Sequence, residues 1–372
     1  MARSIGVLRK WLISVDQVLL LIIALLIGIG VWVSIASTPA VAIKLGLSPF
    51  YFVKQHIALI PIVLLLIIFT SILQPKHICV LSMIGYVGCV FLIICTLLFG
   101  TEIKGARRWL NVFGFSLQPS EFLKPIMSVI TAWLVTKQYK NPKFNGILLS
   151  FLSILLVVPL LFKQPDVGIA IIIMTTWVAQ LFVSGISILT IGVIITAGIA
   201  TLTGLYFTLP HVAYRINKFI FPNVGENDFY QIERSLLSFK NGGLFGKGPG
   251  EGTVKMSVPD SHSDFVFSVI GEEFGFFMCL AVILLFAILI IRPILKVMKS
   301  SNMFCISAVF GLSFQILTQT LINISSALNL IPTKGMTLQF ISYGGSSLLS
   351  SGVCVCLILC LTRYNVLKSD SI

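Results

Sequence analysis

Runs of apolar residues long enough to cross a bilayer alternate along the chain with shorter polar segments. Roughly 20 apolar residues span the hydrocarbon as a helix. On that measure the pattern predicts spanning helices over 17–37, 55–73, 78–99, 118–136, 146–162, 166–183, 187–209, 265–291, 303–325 and 342–362. The first run follows Arg3, Arg9 and Lys10. Its apolar stretch, Val18 to Ile35, outlasts the about 7–15 residues of a cleaved signal, so it reads as a retained first helix. The segment 210–264 is the longest interruption and reads as a large extracytoplasmic loop. The predicted fold is all-α: a polytopic membrane protein, one membrane domain over 1–372, with about ten transmembrane helices.

Composition sharpens this picture. The chain is 57% hydrophobic and only 10% charged, with a mean hydropathy of +1.02, where a soluble domain carries about 25% charged residues. A soluble enzyme, a secreted disulfide scaffold and a disordered chain are excluded. The net charge of +13 comes from cations that punctuate apolar runs rather than from a basic block. They read as helix flanks beside anionic lipid, and no nucleic-acid partner is expected. Most of the eight cysteines lie in apolar runs without CxxC spacing and read as small apolar fillers. Ten spans put both termini on one side, and the excess of Lys and Arg in the inner segments over the short outer loops favours cytoplasmic termini. The acids concentrate in the outer loops, which points the chemistry to the outer face.

Five ionisable groups fall within or at the edge of the apolar runs: Glu121, Lys124, Asp166, Glu272 and Glu273. An ionised group at the bilayer centre costs at least about 2.5–3.5 kcal/mol, so such groups face a polar cavity or pair with one another. Glu121 and Lys124 follow a helix start at Gln118-Pro119-Ser120, with Ser120 placed to cap, and three-residue spacing lets the two pair. Upstream, Arg107 and Arg108 beside Trp109 suit a pyrophosphate or an anionic head group, or else serve as snorkelling anchors. Asp166, in the Gln164-Pro165-Asp166 turn, either caps the next helix or lines the same cavity.

The segment 230–276 is the richest in candidate chemistry. Asn241 to Gly252 holds six glycines in twelve residues but fits neither a P-loop nor GxGxxG. It reads as a flexible turn, or as a mobile loop whose N–H groups approach a phosphate or sugar. Pro259 to Phe265 then carries an aqueous loop to the next helix. Asp264 is either a helix cap or a general base at the depth of a lipid-linked head group. His262 is close enough to tune it, or is a solvated loop histidine. Glu272 lies about 12 Å further along that helix and Glu273 points nearly opposite to Asp264, with structural and catalytic roles both open. The Gly/Ser-rich run from Phe340 to Ser347 suits close packing or a polar cavity wall.

In this order, GARRW at 105–109, QPSEF at 118–122, QPD at 164–166, GGLFGKGPGEGTVK at 242–255, PDSHSDFVF at 259–267, GEEFG at 271–275, PTKG at 332–335 and FISYGGSS at 340–347 resemble the SEDS family of bacterial cell-wall glycan polymerases. PTKG and GPGEGTVK are most similar to its cell-division branch. The resemblance implies polymerisation of lipid II, the undecaprenyl-pyrophosphate-linked disaccharide pentapeptide, on the outer face of the cytoplasmic (inner) membrane at the division septum. It implies a class B penicillin-binding protein as transpeptidase partner, beside other divisome membrane proteins. The family's essential acid falls on Asp264. Ser263 stands where Thr is common, Ser261 where Ala is frequent, and Met336-Thr337-Leu338-Gln339 replaces a usual Leu-Pro-Leu-Pro run, which bears on the turn before the last helix.

On that reading Asp264 is catalytic, and Arg107, Arg108, Glu121, Lys124, Asp166, His262 and Glu272 are candidates for substrate binding. The substrate carries its own leaving group, so no nucleotide site is required. No cofactor is assigned; a divalent ion, Mg or Mn, would share the pyrophosphate charge, and the sequence offers no dedicated site for it. A lipid II flippase or transporter, with Glu121, Lys124, Asp166 and Glu272 along its path, is the main alternative. A non-enzymatic scaffold for division proteins is the third. The outer-loop constellation ending in Asp264 favours the enzyme.

Overall fold

A helix stands at each of the ten positions marked by the apolar runs. The computed structural model describes residues 11, 14–44, 46–71, 73–103, 105–112, 115–208, 213, 217, 227–332 and 335–363. Its helices are α1 (Gln17–Lys44), α2 (Tyr51–Ser71), α3 (Pro75–Phe99), α4 (Pro119–Lys140), α5 (Gly146–Lys163), α6 (Val167–Val183), α7 (Ile188–Thr208), α8 (Asn227–Gly242), α9 (Val266–Val297), α10 (Met303–Ala327) and α11 (Gly345–Leu361). Among the described residues, six are long and apolar enough to cross a membrane by length and composition; α6, α11 and the first part of α7 are apolar but shorter. The chain is a multi-pass membrane protein.

Two features depart from the sequence expectation. A three-stranded antiparallel sheet joins α3 to α4, with β1 (Thr101–Ile103), β2 (Ala106–Val112) and β3 (Phe115–Leu117) in that order, so the fold is helical but not purely so. The segment 210–264 is also no plain loop over its described part. It contains the amphipathic helix α8, whose polar face hid it from an apolar-run criterion, and a 3-10 turn at Val254–Met256. α8 lies against α9 and the end of α10, where Ser235 donates to the Ala327 carbonyl at 2.7 Å.

The packing has two apolar centres. One gathers α1, α2, α9, α10 and α11 around Leu26, Phe286, Phe304 and Ile358. The other gathers α3 to α6 around Ile93, Leu123, Leu161 and Leu181. Helices α4 and α6 pack on α10, and the seam between the two centres runs along these contacts. Leu, Ile and Phe side chains project outward from most of the helices. In lipid such centres are held by van der Waals packing and polar pairing rather than by expulsion of water.

Helix α9 bends at Gly275 (φ 76°). A kink frees backbone groups, and inside a membrane they must be satisfied internally. The glycine-rich loop supplies the partners. Lys247 and Gly248 donate to the Glu272 and Glu273 carbonyls, both at 3.0 Å, while Phe276 and Phe277 donate to the Gly243 and Leu244 carbonyls at 3.0 and 3.3 Å. Close approach demands the glycines: a Cβ on Gly246 would lie 2.2 Å from the Glu273 carbonyl oxygen, and one on Gly275 2.4 Å from the Gly246 nitrogen.

At the opposite end, Asp16 ties the start of α1 to α9. Arg292 Nε donates to both carboxylate oxygens at 2.9 and 3.0 Å, and Lys296 lies 3.4 Å away. Burial raises the Asp16 carboxyl, but its bonds to Arg292 and the Leu19 N–H, with the charge of Lys296, bring it below the ordinary value. Asp16→Asn should lower the stability of the purified protein by about 1–3 kcal/mol. Because folding depresses this pKa, the contribution is complete above the unfolded value of about 3.9 and fades as pH falls through the lower folded value. Thermal unfolding in detergent should show the gap between wild type and variant closing only below about pH 4; closure near neutrality would contradict the pairing.

Candidate functional site

The loops at the α8 end of the bundle converge on the first turn of α4. Pro119 opens that helix with Gln118 at the N-cap, so Ser120 sits inside the first turn rather than capping it. Glu121 and Lys124 pair as their spacing suggested, Oε2 to Nζ at 2.9 Å, with Lys124 only 3% exposed. What the sequence did not reveal is the rest of the network. Lys124 also donates to Gln319 Oε1 on α10 at 2.6 Å, and Gln319 Nε2 donates to the Thr337 carbonyl at 2.9 Å. Gln339 Nε2 reaches the same Gln319 oxygen at 3.2 Å. From α11, Ser350 donates to the Glu121 carbonyl at 2.7 Å, and Ser346 both donates to the Ser116 carbonyl and accepts from the Gln118 N–H. The Gly/Ser-rich run is therefore a hydrogen-bonding wall as well as a packing surface.

Asp166 joins this cluster from the turn before α6. It accepts from Gln118 Nε2 at 3.0 Å and Ser120 Oγ at 3.3 Å, and Arg108 Nη1 stands 3.9 Å away. Burial pushes its carboxyl up, Arg108 draws it back, and Glu121 adds to the rise. The two arginines part company here. Arg108 turns inward and donates to the Gln164 and Pro165 carbonyls, pinning the sheet to the α5–α6 turn. Arg107 stays exposed on the sheet, paired with Glu102 at 3.3 Å. The expected pair of guanidiniums on one anion is not formed, because successive residues of a strand face opposite sides.

Asp264 lies in the turn before α9, which starts at Val266 with Phe265 at the N-cap. The residue is half-buried and its backbone is held from two sides. Its N–H donates to the Asp260 carbonyl at 3.0 Å, and its own carbonyl accepts from Asn323 Nδ2 at 3.0 Å. The same Asn323 nitrogen donates to the Met336 carbonyl at 2.6 Å, so one α10 amide ties the Asp264 turn to the segment that begins at Gly335. That glycine lies against the carboxylate: a Cβ there would stand 2.9 Å from Asp264 Oδ2.

His262 is half-buried and packed on α2. Its ring stacks on Phe52 of α2 with centroids 5.7 Å apart, and its carbonyl accepts from the Tyr343 N–H at 2.9 Å. Tyr343 donates its hydroxyl to Gln55; burial pushes that phenol up to about 12. Ser342 Oγ donates to the Ser263 carbonyl at 2.6 Å. The turn carrying Asp264 is thus clamped between α2 and the segment before α11.

Glu272 and Glu273 do not open to this site. Glu272 is fully buried and accepts from Asn241 Nδ2 at 3.0 Å and from the Val254 and Lys255 N–H groups, both at 2.8 Å. Glu273 pairs with Lys255. Of the N–H groups in the glycine-rich segment, those of Lys247 and Gly248 bind the kinked helix, and those of Val254 and Lys255 just beyond it bind the Glu272 carboxylate. Among the described residues no three His, Cys, Asp or Glu side chains gather as a metal site.

Residues 16–366 match a protein family of FtsW, RodA and SpoVE, described as cell cycle protein. A relative from Caulobacter vibrioides (strain NA1000 / CB15N), named probable peptidoglycan glycosyltransferase FtsW, is 39% identical over 357 residues, covering 96% of this chain and 91% of that one. The fold is similar to a solved structure concerned with polymerization and crosslinking by a peptidoglycan synthase complex, with TM-score 0.76 at 22% identity, covering 96% of this chain and 99% of the other. It is also similar to the crystal structure of the rod shape determining protein RodA of Thermus thermophilus, with TM-score 0.66 at 25% identity, covering 94% and 98%.

The buried pair yields a stability test. Lys124→Met strands the Glu121 carboxylate inside the bundle and should cost about 3–5 kcal/mol, the usual loss when one partner of a buried pair is removed. Glu121→Gln added to Lys124→Met should recover part of that loss. Thermal unfolding of the purified variants measures both; a single variant as stable as wild type would show that the pair does not hold the bundle.

Proposed function

This chain belongs to the FtsW, RodA and SpoVE family of cell cycle proteins, and from that premise we propose that it is a peptidoglycan glycosyltransferase that polymerises lipid II, with Asp264 as general base. The observation that carries the assignment of the base is the bracing of Asp264. It sits half-buried on a clamped turn at the end of the bundle, with its N–H bound to Asp260 within the turn and its carbonyl bound to Asn323 of α10. A base must be held within hydrogen-bond reach of the hydroxyl it serves, and such bracing fixes its position. In the reaction the acceptor sugar hydroxyl gives its proton to the Asp264 carboxylate. Its oxygen then bonds to the donor C1 as the bond from C1 to the pyrophosphate oxygen breaks.

Of the cations named from the sequence, Lys124 and Arg108 are paired within the bundle and support the site, whereas Arg107 keeps an exposed guanidinium. A translocation path needs polar groups open along it. Here Glu121, Lys124 and Asp166 are bonded to one another's neighbourhood and Glu272 is enclosed, which favours the enzyme over the flippase. In this reading the α8 end faces outward, both termini are cytoplasmic, and the protein acts at the division septum. Its partners are lipid II, a class B penicillin-binding protein and other divisome membrane proteins. If Mg or Mn takes part, it is held chiefly by the substrate's phosphates.

Asp264→Asn keeps shape and hydrogen bonding but removes the basic lone pair. Glycan product from lipid II in detergent, where no flipping is needed, should fall by about 10²–10⁴-fold while the protein stays folded and binds lipid II. Wild-type product from this variant would end the assignment of the base. A single-span transpeptidase should also co-purify with the protein and raise its polymerase rate; full activity unaffected by added partner would remove that part of the proposal.

A further inference from the structure

Below Lys124, along the seam between the two apolar centres, the bundle encloses a small chamber. Its polar lining comes from three helices: Lys124, Ser128 and Thr131 of α4, Thr176 and Gln180 of α6, and Gln315 of α10. Apolar side chains, Ile172 and Trp177 among them, close its sides.

Gln180 shows how this chamber is built. Its Nε2 donates to the Ser128 carbonyl at 2.8 Å and to the Ser307 carbonyl at 3.0 Å. Both N–H donors are engaged by carbonyls, which fixes the orientation of the amide. A notch in α10 admits the amide: a Cβ on Gly311 would lie 2.3 Å from that nitrogen. Three polar atoms of the lining, Gln180 Oε1, Gln315 Oε1 and Thr176 Oγ1, are buried and receive no hydrogen bond from the described residues. Their residues are 1%, 1% and 3% exposed. Lys124 adds donors: an ammonium has three N–H groups, one of which goes to Gln319, while Glu121 faces it as an ion pair. Buried polar atoms left unmatched in a bilayer core are costly.

We propose that this chamber is a built hydration site, in which water links Lys124 to the oxygens of Gln315, Thr176 and Gln180. The lining selects the ligand by its chemistry. Carbonyl oxygens repel an anion, and the ammonium on the same wall repels a metal cation. Water accepts from Lys124 and from the Thr176 hydroxyl and donates its two hydrogens to the Gln180 and Gln315 amide oxygens, and buried water characteristically makes about three such bonds. The site joins α4, α6 and α10 across a seam where apolar packing is interrupted. It does not depend on the proposed reaction.

The test is a structure of the full-length wild-type protein at a resolution that shows ordered water. Density should stand about 2.7–3.2 Å from Gln180 Oε1, Gln315 Oε1 and Thr176 Oγ1. An empty chamber would overturn the proposal. So would density at the shorter contacts of a bound cation that vanishes when the sodium salt is replaced by a choline salt. As an independent measurement, Gln315→Leu should lower the melting temperature by breaking the water bridge. A higher melting temperature would mean that a dry, unmet acceptor had been removed, and would also overturn it.

Discussion

A charged lysine inside a membrane bundle is the constraint around which the rest of the structure is arranged. Lys124 cannot reach bulk water from the interior of α4, so its charge and its N–H groups must be met within the bundle. Glu121 supplies the opposite charge from the same helix and Gln319 an acceptor from α10. Holding Gln319 in turn brings in Thr337 and Gln339 of the segment before α11. Through Asp166 and its partners Gln118 and Ser120, the first turn of α4 is tied to the start of α6. Four separate parts of the chain thereby meet at one polar seam between two apolar centres.

A second constraint, the broken hydrogen bonds of a kinked helix, explains the glycine-rich loop. Its backbone repairs α9 at Gly275, and Glu272 gathers the N–H groups of the following turn. The loop that looked most like a ligand cradle is therefore a structural patch. Its role is to support the segment leading to Asp264 from one side, while α2, Asn323 and the segment from Gly335 support that turn from the other.

These supports bear on the proposed chemistry. A glycosyl transfer from a pyrophosphate donor brings its own leaving group, so the protein has to position two sugars and take one proton. Rigid bracing of a single carboxylate suits that demand, because a base displaced from its acceptor hydroxyl loses the advantage of proximity. The inward-turned Arg108 and the enclosed Glu272 are bound within the protein frame.

The sequence alone placed the apolar helices, because crossing hydrocarbon demands a length of apolar residues that is a local property of the chain. It also determined the Glu121–Lys124 pair, since residues three apart on one helix are neighbours in any fold. Asp264 stood out because a carboxylate between an aqueous loop and an apolar helix is visible without coordinates. The helix α8 and the small sheet escaped because an amphipathic helix and short strands lack long apolar runs. Tertiary structure alone decided that Lys124 meets Gln319, 195 residues away, and that Arg108 faces inward while Arg107 faces out. It also decided that Glu272 is enclosed by a loop and that Gly335 lies against Asp264. The physical reason is the same in each case. A buried polar group needs a partner, but its sequence position states only the need, and packing of distant segments chooses which group meets it.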